Sequence, residues 1–240
     1  MRDVWDTDLL KIAALQPIAY FTCETFGIQM TTASESGSII ACIPIASLVA
    51  SILFLQKKPT RFQTSGICLT VVGVIVCVTA KGFESSFSGI GYIMLCMAVL
   101  SYSLYCVSAE KADKTTSIEK TYVMIACGAC FFATMAIAKS IAAGTVVDLL
   151  MLPFQNTVFL FSIVYLGIVS SVISFVLFNI SISSIGTNKA SSFVGISTAV
   201  SVLAGVFILD EKFSAMQCYG TLIILLGVYI ANMKSRFFWR

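Results

Sequence analysis

Val158–Ile185 reads VFLFSIVYLGIVSSVISFVLFNISISSI, 28 residues without a charged side chain. A helix that crosses the hydrocarbon core of a bilayer needs about 20 mostly apolar residues, and this run supplies them with several to spare. The same length test picks out Ser36–Leu55, Gly89–Ala109, Thr121–Ala138, Ala190–Leu209 and Ala215–Met233. Thr64–Ala80 is shorter but uncharged, and Leu9–Met30 qualifies despite Lys11 and Glu24. The expectation is an all-α, polytopic membrane protein of about eight spans. None of the runs alternates with a period of two, and lipid satisfies no backbone N–H or C=O, so helices are the expected way across.

The composition of the whole chain agrees. Of its 240 residues 58% are hydrophobic, 11% are charged and none is histidine, and the mean hydropathy is +0.95. A water-soluble domain of this length cannot bury so much apolar surface, because part of any compact chain must face water. A soluble enzyme, a secreted disulfide scaffold and a disordered chain are excluded, as is any histidine-dependent metal or acid–base site. Met1–Asp8 has no basic segment leading into a short apolar core and a small-residue cleavage site, so no signal peptide is expected.

Basic residues set the orientation. With the N-terminus in the cytoplasm and eight alternating spans, only Lys81, Lys139 and Lys212 fall outside; the other twelve of the fifteen Lys and Arg residues fall inside. Both termini are expected to be cytoplasmic. The tail Lys234–Arg240, with Phe237, Phe238 and Trp239, reads as an interfacial anchor rather than a nucleic-acid patch.

The chain also repeats itself. Tyr20–Val76 can be laid on Phe175–Ile230, so that Thr32 meets Thr187, Gln56-Lys57 meets Glu211-Lys212, Thr60 meets Ser214, Gln63 meets Gln217, Gly66 meets Gly220 and Gly73 meets Gly227. Thr60-x-x-Gln63, Ser214-x-x-Gln217 and Thr32-x-x-Glu35 are capping boxes, in which a hydroxyl and a carboxylate or amide satisfy free N–H groups at a helix start. The paired glycines, and small residues four apart after Thr32 and Thr187, give thin faces on which helices approach closely in lipid. The starts of the two copies are five spans apart, an odd number, so they are expected to be inverted, an arrangement typical of secondary transporters. The expected units are 1–80, three helices of a first copy, and 81–240, five helices of a second with the basic tail.

The run Phe207–Gly220, continuing to Gly227-Val228, resembles the closing signature of EamA-type domains in the drug/metabolite transporter superfamily. Glu24–Gly27, Thr31–Ser36 and Pro44 are similar to that family's first-repeat helices, and Val176–Asn179 to their second-repeat equivalents. The resemblance implies a family plan of ten helices in two inverted sets of five, of which the chain holds three plus five. It also implies secondary transport, often export, of a small metabolite, amino acid or drug-like compound, and a bacterial inner membrane location. Gln56 stands where the family usually has Glu, and Ala199 where the first copy has Pro44. The other reading is a truncated remnant, or a membrane-embedded interaction protein, that does not transport.

Glu24 is the most informative position. A carboxylate inside a span is costly and should face a cavity or a partner. Its counterpart in the second copy is Asn179. Either the two face a central cavity, with Glu24 taking a cationic group or a coupling proton, or they are structural hydrogen-bond partners. Lys189 either snorkels or meets an anionic substrate. Pro44 is expected to kink its helix and free a carbonyl at a gate or cavity. Ser36 and Ser197, with Ser34, Ser38, Ser191, Ser192 and Thr198, either line a polar path or bond their own backbone. Glu35 and Glu211 read as structural caps.

The nine cysteines all lie in expected spans, and Cys127-x-x-Cys130 reads as packing rather than redox or zinc chemistry. No phosphate-binding GxxxxGK[ST], no HExxH, no GxSxG and no paired intramembrane aspartates occur, so neither direct ATP use nor catalysis is expected. No cofactor and no metal are expected. The expected partners are a small-molecule substrate, a coupling proton or counter-substrate, the bilayer and a second copy of the chain.

Overall fold

The computed structural model describes residues 6–31, 33–79, 88–197, 199–200 and 215–233. All regular elements among them are helical. They are α1 (Thr7–Ala13), α2 (Tyr20–Met30), α3 (Ala33–Ile40), α4 (Ile43–Leu55), α5 (Arg61–Thr79), α6 (Gly89–Lys111), α7 (Ser117–Ala143), α8 (Val146–Gln155), α9 (Thr157–Ile185), α10 (Thr187–Ser192) and α11 (Ala215–Asn232).

Four of these, α6, α7, α9 and α11, are long and apolar enough to cross a membrane. Their outward surface carries bare apolar groups such as Ile90, 63% exposed, and Phe161, 70% exposed. In a helical protein of this composition that surface is the part the lipid covers, and the chain is an integral membrane protein.

Two expected spans are divided. Leu9–Met30 becomes α1 and α2, joined by a wider π-type turn over Ala14–Ala19, because Gln16 is extended (φ −140°, ψ 117°) and Pro17 has no N–H to give. Ser36–Leu55 becomes α3 and α4. The helix stops at Ile40, turns through Ala41 and Cys42, and restarts at Ile43 with Pro44 in its first turn. Pro44 therefore begins a helix, where its missing N–H costs nothing, instead of bending one from within. α7 runs longer than Thr121–Ala138, since Thr116 and Glu119 form a capping box ahead of it and Gly144, at φ +69°, closes it.

The closest packing is between α5 and α11. A Cβ at Gly66 would lie 2.6 Å from the Gly227 carbonyl, and one at Gly73 2.8 Å from the Gly220 carbonyl. As α5 advances from 66 to 73, its contact on α11 retreats from 227 to 220, so the two helices are antiparallel. Only glycine permits backbones to approach so closely.

α6 is the central post of the rest. It packs on α2 through Gly27 and Leu95, and on α3 and α4. Leu9, Ile12, Tyr105, Cys106, Val123, Met124 and Ile182 form the largest buried cluster, joining α1, α6, α7 and α9. The outer stretch of α9 is different: none of its most apolar window is buried.

Candidate functional site

Three connected groups of buried polar side chains are built on α6. The first joins Glu24 to Asn179. On α2, residues 20 and 24 share a face, and the Tyr20 hydroxyl donates to Glu24 Oε1 at 2.7 Å. The Tyr20 ring meets Tyr102 of α6 edge-on at 5.3 Å, and Tyr102 meets Tyr105 edge-on at 5.7 Å. The Tyr105 hydroxyl then donates to Asn179 Oδ1 at 2.9 Å. Asn179, fully buried, donates through Nδ2 to Thr121 Oγ1 at 3.0 Å and to Met124 Sδ at 3.5 Å. Glu24 and Asn179 thus lie at opposite ends of one aromatic cluster, completed by Phe21 stacked on Phe175 at 6.4 Å. They are not equals: Asn179 is closed in by partners on three sides, and Glu24 remains half-buried.

The second place is the seam where α4 packs on α10 and α6. Ser47 Oγ donates to Ser103 Oγ at 3.3 Å, and Ser191 and Ser192 are buried on α10. Ser51 Oγ and Asn188 Oδ1 are buried on the same pair of helices without a hydrogen-bond partner in the protein. Native structures satisfy nearly all such atoms, so two on one seam single it out as a candidate site. Gln16 Oε1, at the break between α1 and α2, is also buried and unpartnered.

The third place closes one end of the bundle. Glu110, at the end of α6, pairs with Lys57 from the α4–α5 connection and accepts from the Thr187 N–H at 2.9 Å. Thr187 Oγ1 donates to the Cys106 carbonyl at 2.9 Å. The turn into α10 passes through Gly186 at φ +81°, where a Cβ would meet Glu110 Oε1 at 3.1 Å. A side chain there would be strained and would crowd the carboxylate. One acidic residue therefore ties three segments far apart in sequence.

The remaining expected site residues lie as follows. Ser36 is buried on α3. Pro44 is buried at the start of α4. Lys189 is half-buried on α10. Ser197 is exposed and donates to the Val194 carbonyl of its own helix at 2.6 Å. Thr60 and Gln63 exchange both hydrogen bonds of a capping box, at 3.0 and 3.2 Å. Gln217 is buried in α11, where its carbonyl accepts from Cys77 Sγ at 3.6 Å. Thr32, Thr198, Glu211 and Ser214, and the side chains of Ser34, Glu35 and Ser38, lie outside the described residues. Among the described residues no group of Cys, Asp and Glu is arranged to hold a metal ion, and all nine cysteines are free thiols.

Glu110 and Lys57 were not singled out as site residues by sequence reading, which took Lys57 as an orientation signal and as part of the Gln56-Lys57 repeat match. The available signal was an acid directly after the apolar run Gly89–Ala109 and directly before Lys111. Gln16 and the Thr116–Glu119 box were missed as well; the second was legible as Thr116-x-x-Glu119.

Comparison with known proteins gives a consistent result. The sequence profile described as the EamA-like transporter family matches residues 2–79 and 89–233. An uncharacterised transporter of Bacillus subtilis, YcxC, is 34% identical over 229 residues, covering 95% of this chain and 73% of its own length. A second from that organism, YyaM, is 23% identical and covers 86% of this chain, which spans 66% of it. A transporter of Acidianus ambivalens is 22% identical, with 88% of this chain and 78% of its own covered. One solved crystal structure superposes with a TM-score of 0.73 at 14% identity, covering 93% of this chain and 77% of that one; at that identity the likeness speaks for the fold alone.

Proposed function

The chain belongs to the EamA-like transporter family, and on that premise we propose that it is a secondary transporter exporting a small metabolite, amino acid or drug-like compound without direct use of ATP. The single observation that carries the reading is the buried polar seam between α4 and α10, where Ser51 Oγ and Asn188 Oδ1 have no hydrogen-bond partner in the protein, together with the half-buried Glu24 of α2, inside an otherwise apolar bundle. Intramembrane polar groups are costly and face pathways or partners. Ser51 and Asn188 offer open hydrogen-bonding atoms along the path, and Glu24 takes a cationic group of the substrate or a coupling proton.

In this reading the molecule has eight spans and two inverted copies, three helices in 1–80 and five in 81–240. The antiparallel contact of α5 with α11 supports it. Gly66 and Gly73 correspond in the repeat to Gly220 and Gly227, and each meets the other's counterpart, as a two-fold axis in the membrane plane requires. Rocking of the copies exposes the seam alternately to each side. The Glu110–Lys57–Thr187 tie is the closed gate at the basic end, which faces the cytoplasm along with both termini. The membrane is the inner membrane of a bacterium.

The test is flux in proteoliposomes or inverted vesicles loaded from a panel of metabolites and drugs. Glu24→Gln should abolish flux of the transported compound while expression and folding stay normal. Unchanged flux in that variant removes Glu24 from the mechanism. No flux of any compound through well-folded native protein favours instead a membrane-embedded interaction protein.

A further inference from the structure

A groove of about 410 Å³ opens on the outer surface between α1, α4 and α6. Its floor is one stripe of α6, Leu104, Ser108 and Lys111, spaced at the three- and four-residue interval that keeps side chains on one helix face. Leu15 lines it from the α1 side and Phe54 from α4. Lys11, at the end of α1, completes the rim. The groove is therefore mostly apolar, with two lysines and one serine hydroxyl in its lining.

The chemistry at the two lysines is specific in its sign. Lys111 Nζ lies 5.9 Å from the centre of the Phe54 ring, which holds it over the groove by cation–π attraction. The neighbouring acid on α6, Glu110, is engaged by Lys57 and Thr187. The acid close to Lys11 is Asp8, at 3.1 Å; both side chains are well exposed, 69% and 65%. A pair so open to water is worth little, so Lys11 can exchange Asp8 for a stronger anion at small cost. Lys111 lies at the end of the bundle where Lys57 pairs with Glu110, with Lys58 next to it.

We propose that this groove binds one anionic phospholipid from the leaflet at the basic end, its phosphate between Lys11 and Lys111 and an acyl chain along Leu15, Phe54 and Leu104. Basic pockets between membrane helices on the cytoplasmic side are the setting in which acidic headgroups are held, and the apolar length of the groove selects a lipid over a soluble phosphate. The site lies along the end of α6, next to the Glu110 that the proposed gate uses, so its occupant would brace the closed end. The proposal rests on the chain being a membrane protein and is independent of what it transports.

The experiment uses the full chain, purified in a mild non-ionic detergent, with phosphatidylglycerol or phosphatidylcholine added and retained lipid read by native mass spectrometry. Phosphatidylglycerol should be retained in preference, and the double variant Lys11→Gln/Lys111→Gln should bind it about 25-fold more weakly, since each lysine near an anionic surface contributes on the order of a fivefold. Lys58→Gln, at the same end but outside the groove, should change nothing. Ala14→Phe, which keeps both charges and fills the groove, should also exclude the lipid, and guards against misfolding of the double variant. Equal retention by native protein and double variant, equal loss in Lys58→Gln, or full displacement by glycerol 3-phosphate would each overturn the proposal.

Discussion

Asn179 and Glu24, which the alignment of Tyr20–Val76 with Phe175–Ile230 lays on each other, have different surroundings, and the difference is one of satisfied valence. Asn179 has its carbonyl oxygen on Tyr105 and its amide on Thr121 and Met124; it is a tie between α6, α7 and α9. Glu24 has Tyr20 on one oxygen and keeps acceptor capacity. Sequence reading placed both as polar groups inside spans but could not separate tie from ligand, because that depends on which side chains three other helices present. Tyr105→Phe tests the tie. It keeps the ring and leaves Asn179 Oδ1 buried without its donor, which should lower stability by about 1–3 kcal/mol, read as a fall in the thermal midpoint in detergent. An unchanged midpoint would mean that the bond adds nothing to the packing of α6 on α9.

Among the helices, α5 and α11 show how far local composition reaches. Their glycines stand out in sequence as paired positions seven apart, and thin faces in lipid imply close partners. That α5 and α11 partner each other, in opposite directions, emerges only from the contacts. Gly227→Ala should be costly, since its Cβ would lie 2.5 Å from the Thr70 backbone N and overpacking of this kind costs about 1–3 kcal/mol. Gly167→Ala, on the exposed side of α9 with nothing within 4 Å, should cost nothing and add helix propensity. The pair is checked by thermal unfolding under identical detergent conditions; equal effects would deny the close approach. The divided spans carry the same lesson. Gln16-Pro17 and Pro44 announce breaks by lacking an N–H, while hydropathy alone reads straight through them.

For the molecule as a whole, the closure at the basic end links the helices that the proposed transport cycle must separate. If Glu110 is that latch, Glu110→Ala should speed amide hydrogen exchange across 187–192 several-fold, as Thr187 loses its acceptor and Lys57 its partner, while α5 and α11 exchange as before. Exchange that speeds throughout would indicate general loosening, and no change would remove the latch. Apolar run lengths, the bias of lysines and arginines, the paired glycines and the family resemblance were all legible along the chain. In a bilayer each spanning segment must satisfy its own backbone, so its nature is settled by its own residues. The Glu110–Lys57 tie, the groove between α1, α4 and α6 and the aromatic path from Glu24 to Asn179 were not legible. Lipid tails are as apolar as helix interfaces, so hydrophobic patterning does not tell an inward face from an outward one; Lys57 and Glu110, 53 positions apart, acquire meaning only when folding sets them side by side.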